Sequence, residues 1–338
     1  FEQDVAAVNF ATSLHNVPWF SPIGFAFGLE HRRESIDGNV DPQYQSGWSV
    51  GNYLATSGKY DVTEGYFEVL VPLLDNLEFN GGVRGTDYST SGFVTTWKTG
   101  LTWDVTQELR LRAVKSRDIR APNLEELYQA GRQRTNFLTD FEDPAQPSVR
   151  FQESVTGNLD LKPEEADSLG LGLVYRPSFA PGLGISVDYY DIEIKDAISM
   201  VTAQEIVRRC HVDNNPTFCG ALTKFPAFDP TLVYFVANNP FNFVSERARG
   251  LDFEVSYPFH LDDLVSGWQG QVRLRALATH FIERSSDDGV SGKVDTAGEN
   301  TSAGGPPDWR YRISAAYNLD RFTFVLTGRG LSSGTYDN

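Results

Sequence analysis

The sequence predicts an all-β fold, an antiparallel transmembrane β-barrel of which this chain supplies about twelve strands. Three observations predict it. Apolar and polar residues alternate with period two through most of the 338 residues, which is the spacing of a sheet with two unlike faces. Many alternating runs reach ten residues or more, against about five or six for strands of soluble sheets and about 9–11 for a tilted membrane strand. Short and long connections tend to alternate, and antiparallel neighbours put successive connections at opposite ends of the sheet.

The elements follow in order. A first strand is expected near "DVAAVNFATSL". In "NLEFNGGVRGTDYS", Leu77, Phe79, Gly81, Val83 and Gly85 share one face, and Glu78, Asn80, Gly82, Arg84 and Thr86 the other. "GFVTTWKTGLTWDV" sets Phe93, Trp97, Leu101 and Trp103 against Thr96, Lys98, Thr102 and Asp104. "ELRLRAVK" opposes Leu109, Leu111 and Ala113 to Arg110 and Arg112. "SLGLGLVYRP" carries Leu169, Leu171, Leu173 and Tyr175 on one side. "GLDFEVSY", "QVRLRALATH", "WRYRISAAY" and "RFTFVLTGR" repeat the pattern. Helical spacing is nearly absent.

The connections at 72–76, 105–108, 176–182 and 318–321 are short, and that at 258–267 is somewhat longer. Those near 35–59, 119–163, 199–238 and 283–306 are long, polar and dotted with aromatics. One junction, 88–92, is short where a long loop is due. An outer-membrane barrel explains this asymmetry through short periplasmic turns and long extracellular loops. Trp103, Tyr175, Tyr257 and Tyr317 end apolar faces beside short turns, where an interfacial aromatic girdle lies. Each taken alone reads equally as an ordinary strand aromatic.

Bulk properties agree. No stretch approaches the about 18 apolar residues of a membrane helix, and the mean hydropathy is -0.33, as alternation in a barrel produces. The net charge of -16 argues against nucleic acid as a partner, since a phosphate backbone wants a basic face. The single Met is Met200, so the native N-terminus is expected to be absent. The two cysteines, Cys210 and Cys219, flank "HVDNNPTF", which is turn chemistry. A loop disulfide is expected in an oxidising compartment. A metal site would need more ligands than the neighbouring His211.

Two further segments carry a resemblance. In "SRDIRAPNLEELY", Ser116, Arg120, Ala121, Pro122, Glu126, Leu127 and Tyr128 match a signature in the barrel of TonB-dependent outer-membrane receptors; Ile119 replaces the usual aromatic. In "GNLDLKPEE", Asn158, Leu161, Lys162, Pro163 and Glu164 match that family's Asn-x-x-Leu-Lys-Pro-Glu segment, which opens the next strand. "ISVDYYDIEIKDAI" and "PFNFVSERARGLDFEVSY" resemble its strands. The resemblance implies a barrel of about 22 strands filled by an N-terminal plug domain, which contacts the TonB energy-coupling protein. Neither the plug nor the closing strands are recognised here. Residues 1–338 therefore read as one incomplete barrel region. It implies an integral outer-membrane location in a Gram-negative bacterium, with membrane lipid and lipopolysaccharide around it and no cofactor. The implied ligand is of the siderophore, vitamin or oligosaccharide class, with a peptide also open. A passive porin, an adhesin or a barrel enzyme are the alternatives.

The candidate residues follow from these readings. Asn123 suits a helix N-cap, with Glu126 as the reciprocal half of a capping box. Within this motif, Arg120 and Tyr128 are either structural or ligand contacts. Tyr44, Trp48 and Tyr234 are candidate ligand contacts among loop aromatics that include Tyr53, Phe137, Phe141, Phe218 and Phe235. They grip a ligand or pack loop on loop. Arg84, Arg110, Arg112, Arg273 and Arg275, with Arg310 and Arg312, fall on polar strand faces. They are expected to point into the lumen, toward a plug or an anionic solute, or to pair with carboxylates such as Asp252 and Glu254 on neighbouring strands. The five histidines are scattered and no nucleophile, zinc or phosphate-loop motif appears, so no catalytic or metal-binding residue is assigned.

Overall fold

The computed structural model describes residues 1–15, 21–45, 52–225, 232–289, 292–299 and 305–336. Its strands are β1 (Glu2–Leu14), β2 (Ile23–Asp37), β3 (Asn52–Tyr53), β4 (Ser57–Leu74), β5 (Leu77–Tyr88) and β6 (Gly92–Asp104). They continue as β7 (Leu109–Arg120), β8 (Arg132–Thr139), β9 (Ser148–Val155), β10 (Glu164–Tyr175), β11 (Gly184–Ser199) and β12 (Leu222–Lys224). The last six are β13 (Leu232–Asn238), β14 (Phe241–His260), β15 (Gln271–Asp287), β16 (Lys293–Asp295), β17 (Trp309–Leu319) and β18 (Phe322–Leu331). Four short helices accompany them: α1 (Pro42–Gln45), α2 (Leu124–Tyr128), α3 (Ala203–His211) and α4 (Pro216–Gly220).

Twelve strands form one sheet in the order β1-β2-β4-β5-β6-β7-β10-β11-β14-β15-β17-β18, with β16 attached to β15. Every neighbouring pair on this path is antiparallel. The sheet is open, with β1 and β18 at its two edges. The strand near "DVAAVNFATSL" is present as β1, and the short junction at 88–92 lies at the end of the sheet that carries the long loops.

Register makes the two faces explicit. Leu101, Ala113, Leu171, Tyr189 and Leu251 lie side by side across five strands. The next row holds Thr102, Arg112, Gly172, Asp188 and Asp252. The apolar face remains open: Leu29, Leu171, Leu274 and Ile313 are exposed. Exposure of such a row to water would be costly, whereas lipid is its natural solvent. Toward the long-loop end the same face turns charged, with Arg117 on Asp167 at 2.8 Å, Lys195 on Asp167 at 3.3 Å and Arg247 on Asp191 at 2.7 Å.

The long connections differ from the sequence reading, which treats them as loops. Three of them contribute strands to a second sheet of order β12-β13-β9-β8-β3, in which β13 and β9 run parallel. Helices α3 and α4 cover it. Leu138, Phe151, Ile206, Val207, Phe218, Tyr234 and Val236 form its core. The larger of the two packed cores among the described residues therefore sits in a cap beyond the barrel wall, where apolar side chains find protein on every side.

Candidate functional site

The two sequence motifs meet at the rim where β7 leaves the barrel. Asn123 Oδ1 accepts from the Glu126 amide at 2.8 Å, and Glu126 Oε2 accepts from the Asn123 amide at 2.8 Å. This capping box starts α2 directly after the helix-favouring stop at Pro122. Arg120 then joins the segments. Its Nη2 and Nε donate to Glu164 at 2.6 and 2.8 Å, and its Nη1 donates to both Glu126 oxygens at 3.1 Å. Glu164 Oε1 also accepts from the Ile198 amide at 2.7 Å. One guanidinium thus ties β7, α2, β10 and β11 together. Ser116 Oγ donates to Asp118 at 2.9 Å on the same strand.

The second motif docks on α2 by its backbone. The Gly157 amide donates to Gln129 O and the Asn158 amide to Glu126 O, both at 2.8 Å. A Cβ at Gly157 would overlap the Leu127 carbonyl, so the close approach requires glycine. Leu161 enters a small core with Tyr60, Val62, Leu124 and Leu127. Ala121 stands half-buried at the turn, and Pro163 is buried beside Leu161. The Lys162 backbone exchanges two hydrogen bonds of 2.8 Å with Asn242, which also donates to Asp196 O at 2.7 Å. Asn242 is a bridging residue that sequence reasoning did not single out. Tyr128 donates its hydroxyl to Lys59 O at 2.7 Å and lies against Gly58. Both Arg120 and Tyr128 are thus engaged in the scaffold.

The cap is built by α3. Thr202 caps its start by accepting from the Glu205 amide at 3.2 Å, and Ala203, Ile206, Val207 and Cys210 face the core on one helical stripe. Cys210 and Cys219 form the expected disulfide, which joins α3 to α4. Arg209 is 4 % exposed and bridges Glu205 at 2.6 Å to Asp288 in the next long connection.

Tyr234 is corrected from a ligand contact to a core residue. It is 1 % exposed, and its hydroxyl donates to Asp140 at 2.6 Å and Glu142 at 3.2 Å. Burial, then the Asp140 carboxylate, push that hydroxyl far above its usual range, so it remains a donor. Lys224 pairs with Glu142 and holds its carboxyl below the usual range. The alternation Leu232, Tyr234, Val236 in "LVYFVAN" was the signal for β13. Tyr44 is exposed and meets Tyr53 edge-on at 6.4 Å; Trp48 lies outside the described residues.

The polar-face arginines divide into two groups. Arg84 pairs with Glu64 at 3.0 Å, Arg110 with Asp104 at 2.6 Å, Arg112 with Asp188 at 2.7 Å and Arg275 with Glu254 at 2.7 Å. Arg112 reaches Asp188 across Gly172, where a Cβ would overlap both groups. Arg273, Arg310, Arg312 and Arg329 form no ion pair among the described residues.

An open antiparallel wall with a lipid-side apolar face, a charged inner face and a folded outer cap defines a segment of an outer-membrane β-barrel. The chain belongs to the TonB dependent receptor-like β-barrel family, whose model matches residues 3–338. Its fold is similar to that of the ferric enterobactin receptor PfeA of Pseudomonas aeruginosa, with TM-score 0.66, 16% identity, and coverage of 96% of this chain and 40% of that one. The siderophore receptor PirA of Acinetobacter baumannii gives 0.63, 15%, 98% and 44%. The alcaligin receptor FauA of Bordetella pertussis gives 0.53, 15%, 98% and 46%. At such identities the likeness is one of fold, and the chain spans less than half the length of each.

Proposed function

We propose that this chain is the wall and outer cap of a TonB-energised uptake receptor for a scarce ligand. The observation that supports it best is the joining of three long connections into one packed cap sheet at the long-loop end of the wall. A passive pore has no use for a folded cover, whereas selective capture before transport needs a shaped outer surface. Siderophores are the first ligand class to test, because PfeA, PirA and FauA carry siderophore names; vitamins and oligosaccharides come next. In this reading the exposed pair Tyr44 and Tyr53, with Trp48, contacts ligand. Energy arrives from the TonB protein through a plug domain inside the barrel, and the charged outward rim around Arg117 and Arg247 lies against lipid and lipopolysaccharide headgroups.

The test is growth of a strain lacking the whole receptor on single sources of iron, cobalamin or oligosaccharide. Loss of growth on one source, restored by the intact gene, is expected. Normal growth on all of them would remove the uptake reading.

A further inference from the structure

At the short-turn end of the wall the longest connection joins β14 to β15, over residues 261–270. It is tightly folded. Leu261–Asp263 form a 3₁₀ turn. The Leu264 and Val265 amides donate to Leu261 O at 3.1 and 2.9 Å, and the Trp268 amide donates to Val265 O at 3.1 Å. Its two carboxylates are engaged within it: Asp262 Oδ1 accepts from the Gly267 amide at 2.7 Å and Asp263 Oδ2 from the His260 amide at 3.2 Å. No Lys or Arg occurs from 258 to 270. The surface that the turn presents is apolar instead. Leu264 is 69 % exposed, Trp268 59 % and Val265 45 %. Turns in water favour small and polar residues, and grouped large apolar side chains on a surface mark an interaction site.

The turn leans to the lipid side of the wall. The apolar face continues along the hairpin through Tyr257 opposite Leu274 and Phe259 opposite Val272. Tyr317 on β17 stands next to Val272 in the same row, so it too faces outward. Its hydroxyl donates to Gln269 O at 3.0 Å. A Cβ at Gly270 would overlap its ring, which brings ring and turn backbone into close contact. An outward-facing side chain thus holds the turn one residue from Trp268. The neighbouring 176–183 connection reaches the same hairpin, with Gly182 close to Pro258 O, and carries the exposed Phe179.

We propose that the β14–β15 turn is a membrane foot. Leu264, Val265 and Trp268 enter the headgroup–acyl boundary of the periplasmic leaflet and hold that end of the wall at a fixed depth. Binding of this kind scales with the apolar area inserted, and an indole suits the boundary because it joins an apolar body to one polar N–H. The turn is closed by its own hydrogen bonds, so little conformational freedom is lost on insertion. It holds no cation, so anionic lipid adds nothing to its binding. The foot depends on the barrel wall and not on the uptake of any ligand.

Fluorescence of the full receptor in nanodiscs of zwitterionic phosphatidylcholine tests it. Subtracting the Trp268→Phe variant from the parent isolates the emission of Trp268. Lipid brominated near the headgroup should remove most of that emission, and iodide in the water should leave it nearly unchanged. Leu264→Ser/Val265→Ser should shift it to the red and admit iodide. A nitroxide on Leu264→Cys, with the native cysteines bonded to each other, gives an independent reading should Trp268→Phe fail to fold. It should collide more often with oxygen than with a water-soluble nickel chelate. A nitroxide on Gln107→Cys, exposed in the polar turn at 105–108, should do the reverse. Quenching of Trp268 by iodide and not by brominated lipid overturns the foot and leaves the turn in water. Protection from both quenchers overturns it as well, in favour of a protein surface lying on the turn.

Discussion

Arg120 and Glu164, forty-four positions apart in sequence, form a two-point ion pair at 2.6 and 2.8 Å. Glu164 is 12 % exposed at its side chain, and the same oxygen that meets Arg120 also receives the Ile198 amide. The pair is what turns two separate stretches into one rim.

Arg120→Ala should therefore act through stability. It leaves Glu164 largely buried and short of its partner, at a cost of about 1.5–3 kcal/mol. Urea unfolding in detergent should show the loss. Unchanged unfolding together with lost ligand binding would instead make Arg120 a ligand contact.

Gly172 lets Arg112 cross strand β10 to Asp188. Gly172→Ala should break that bridge and leave both charges on the inner wall. The expected loss is about 1 kcal/mol, since the pair is half exposed. Adding Arg112→Ala to Gly172→Ala should cost little more, because the two changes remove one interaction. Additive losses in a double-mutant cycle would contradict the geometry.

Replacing Cys210 and Cys219 with Ser should loosen the cap and spare the wall. The disulfide closes a short loop, worth about 3 kcal/mol on the chain-entropy account. Limited proteolysis should cut near residues 199–224 in the variant while the barrel strands stay protected. Protection equal to the parent would show that α3 and α4 hold without the bond.

Acid should open the cap. Lys224 holds Glu142 below the usual carboxylate range, and Arg208 does the same for Glu205. A folded value below the unfolded one means that the stabilisation is complete above the unfolded value, about 4.3. It disappears as pH falls through the folded value. The near-ultraviolet dichroism of the buried tyrosine should therefore fade below about pH 4, and Glu142→Gln should weaken that dependence. A signal flat to pH 2 would contradict the assignment.

Much of the wall was legible because a barrel writes its two solvents at every second residue. Leu101, Leu171 and Leu251 share a face by parity alone, and register merely aligns them. The Cys210–Cys219 bond was legible from turn residues and spacing. The cap was not. Its strands β8, β9 and β13 are short, and their partners lie in different connections, so no local pattern joins them. Tyr234 looks like an exposed loop aromatic until Asp140 and Ile206 are brought against it. The inner arginines were found as a set by alternation, but only pairing geometry separates Arg112 from Arg312.

Energised uptake is most directly tested by measuring ligand accumulation in cells carrying the full receptor, with TonB present and with TonB deleted. Once growth assays name the ligand, its labelled form should accumulate only in the TonB-containing cells, and collapse of the inner-membrane proton gradient should abolish accumulation there too. Equal entry with and without TonB would contradict the account and make the barrel a passive pore.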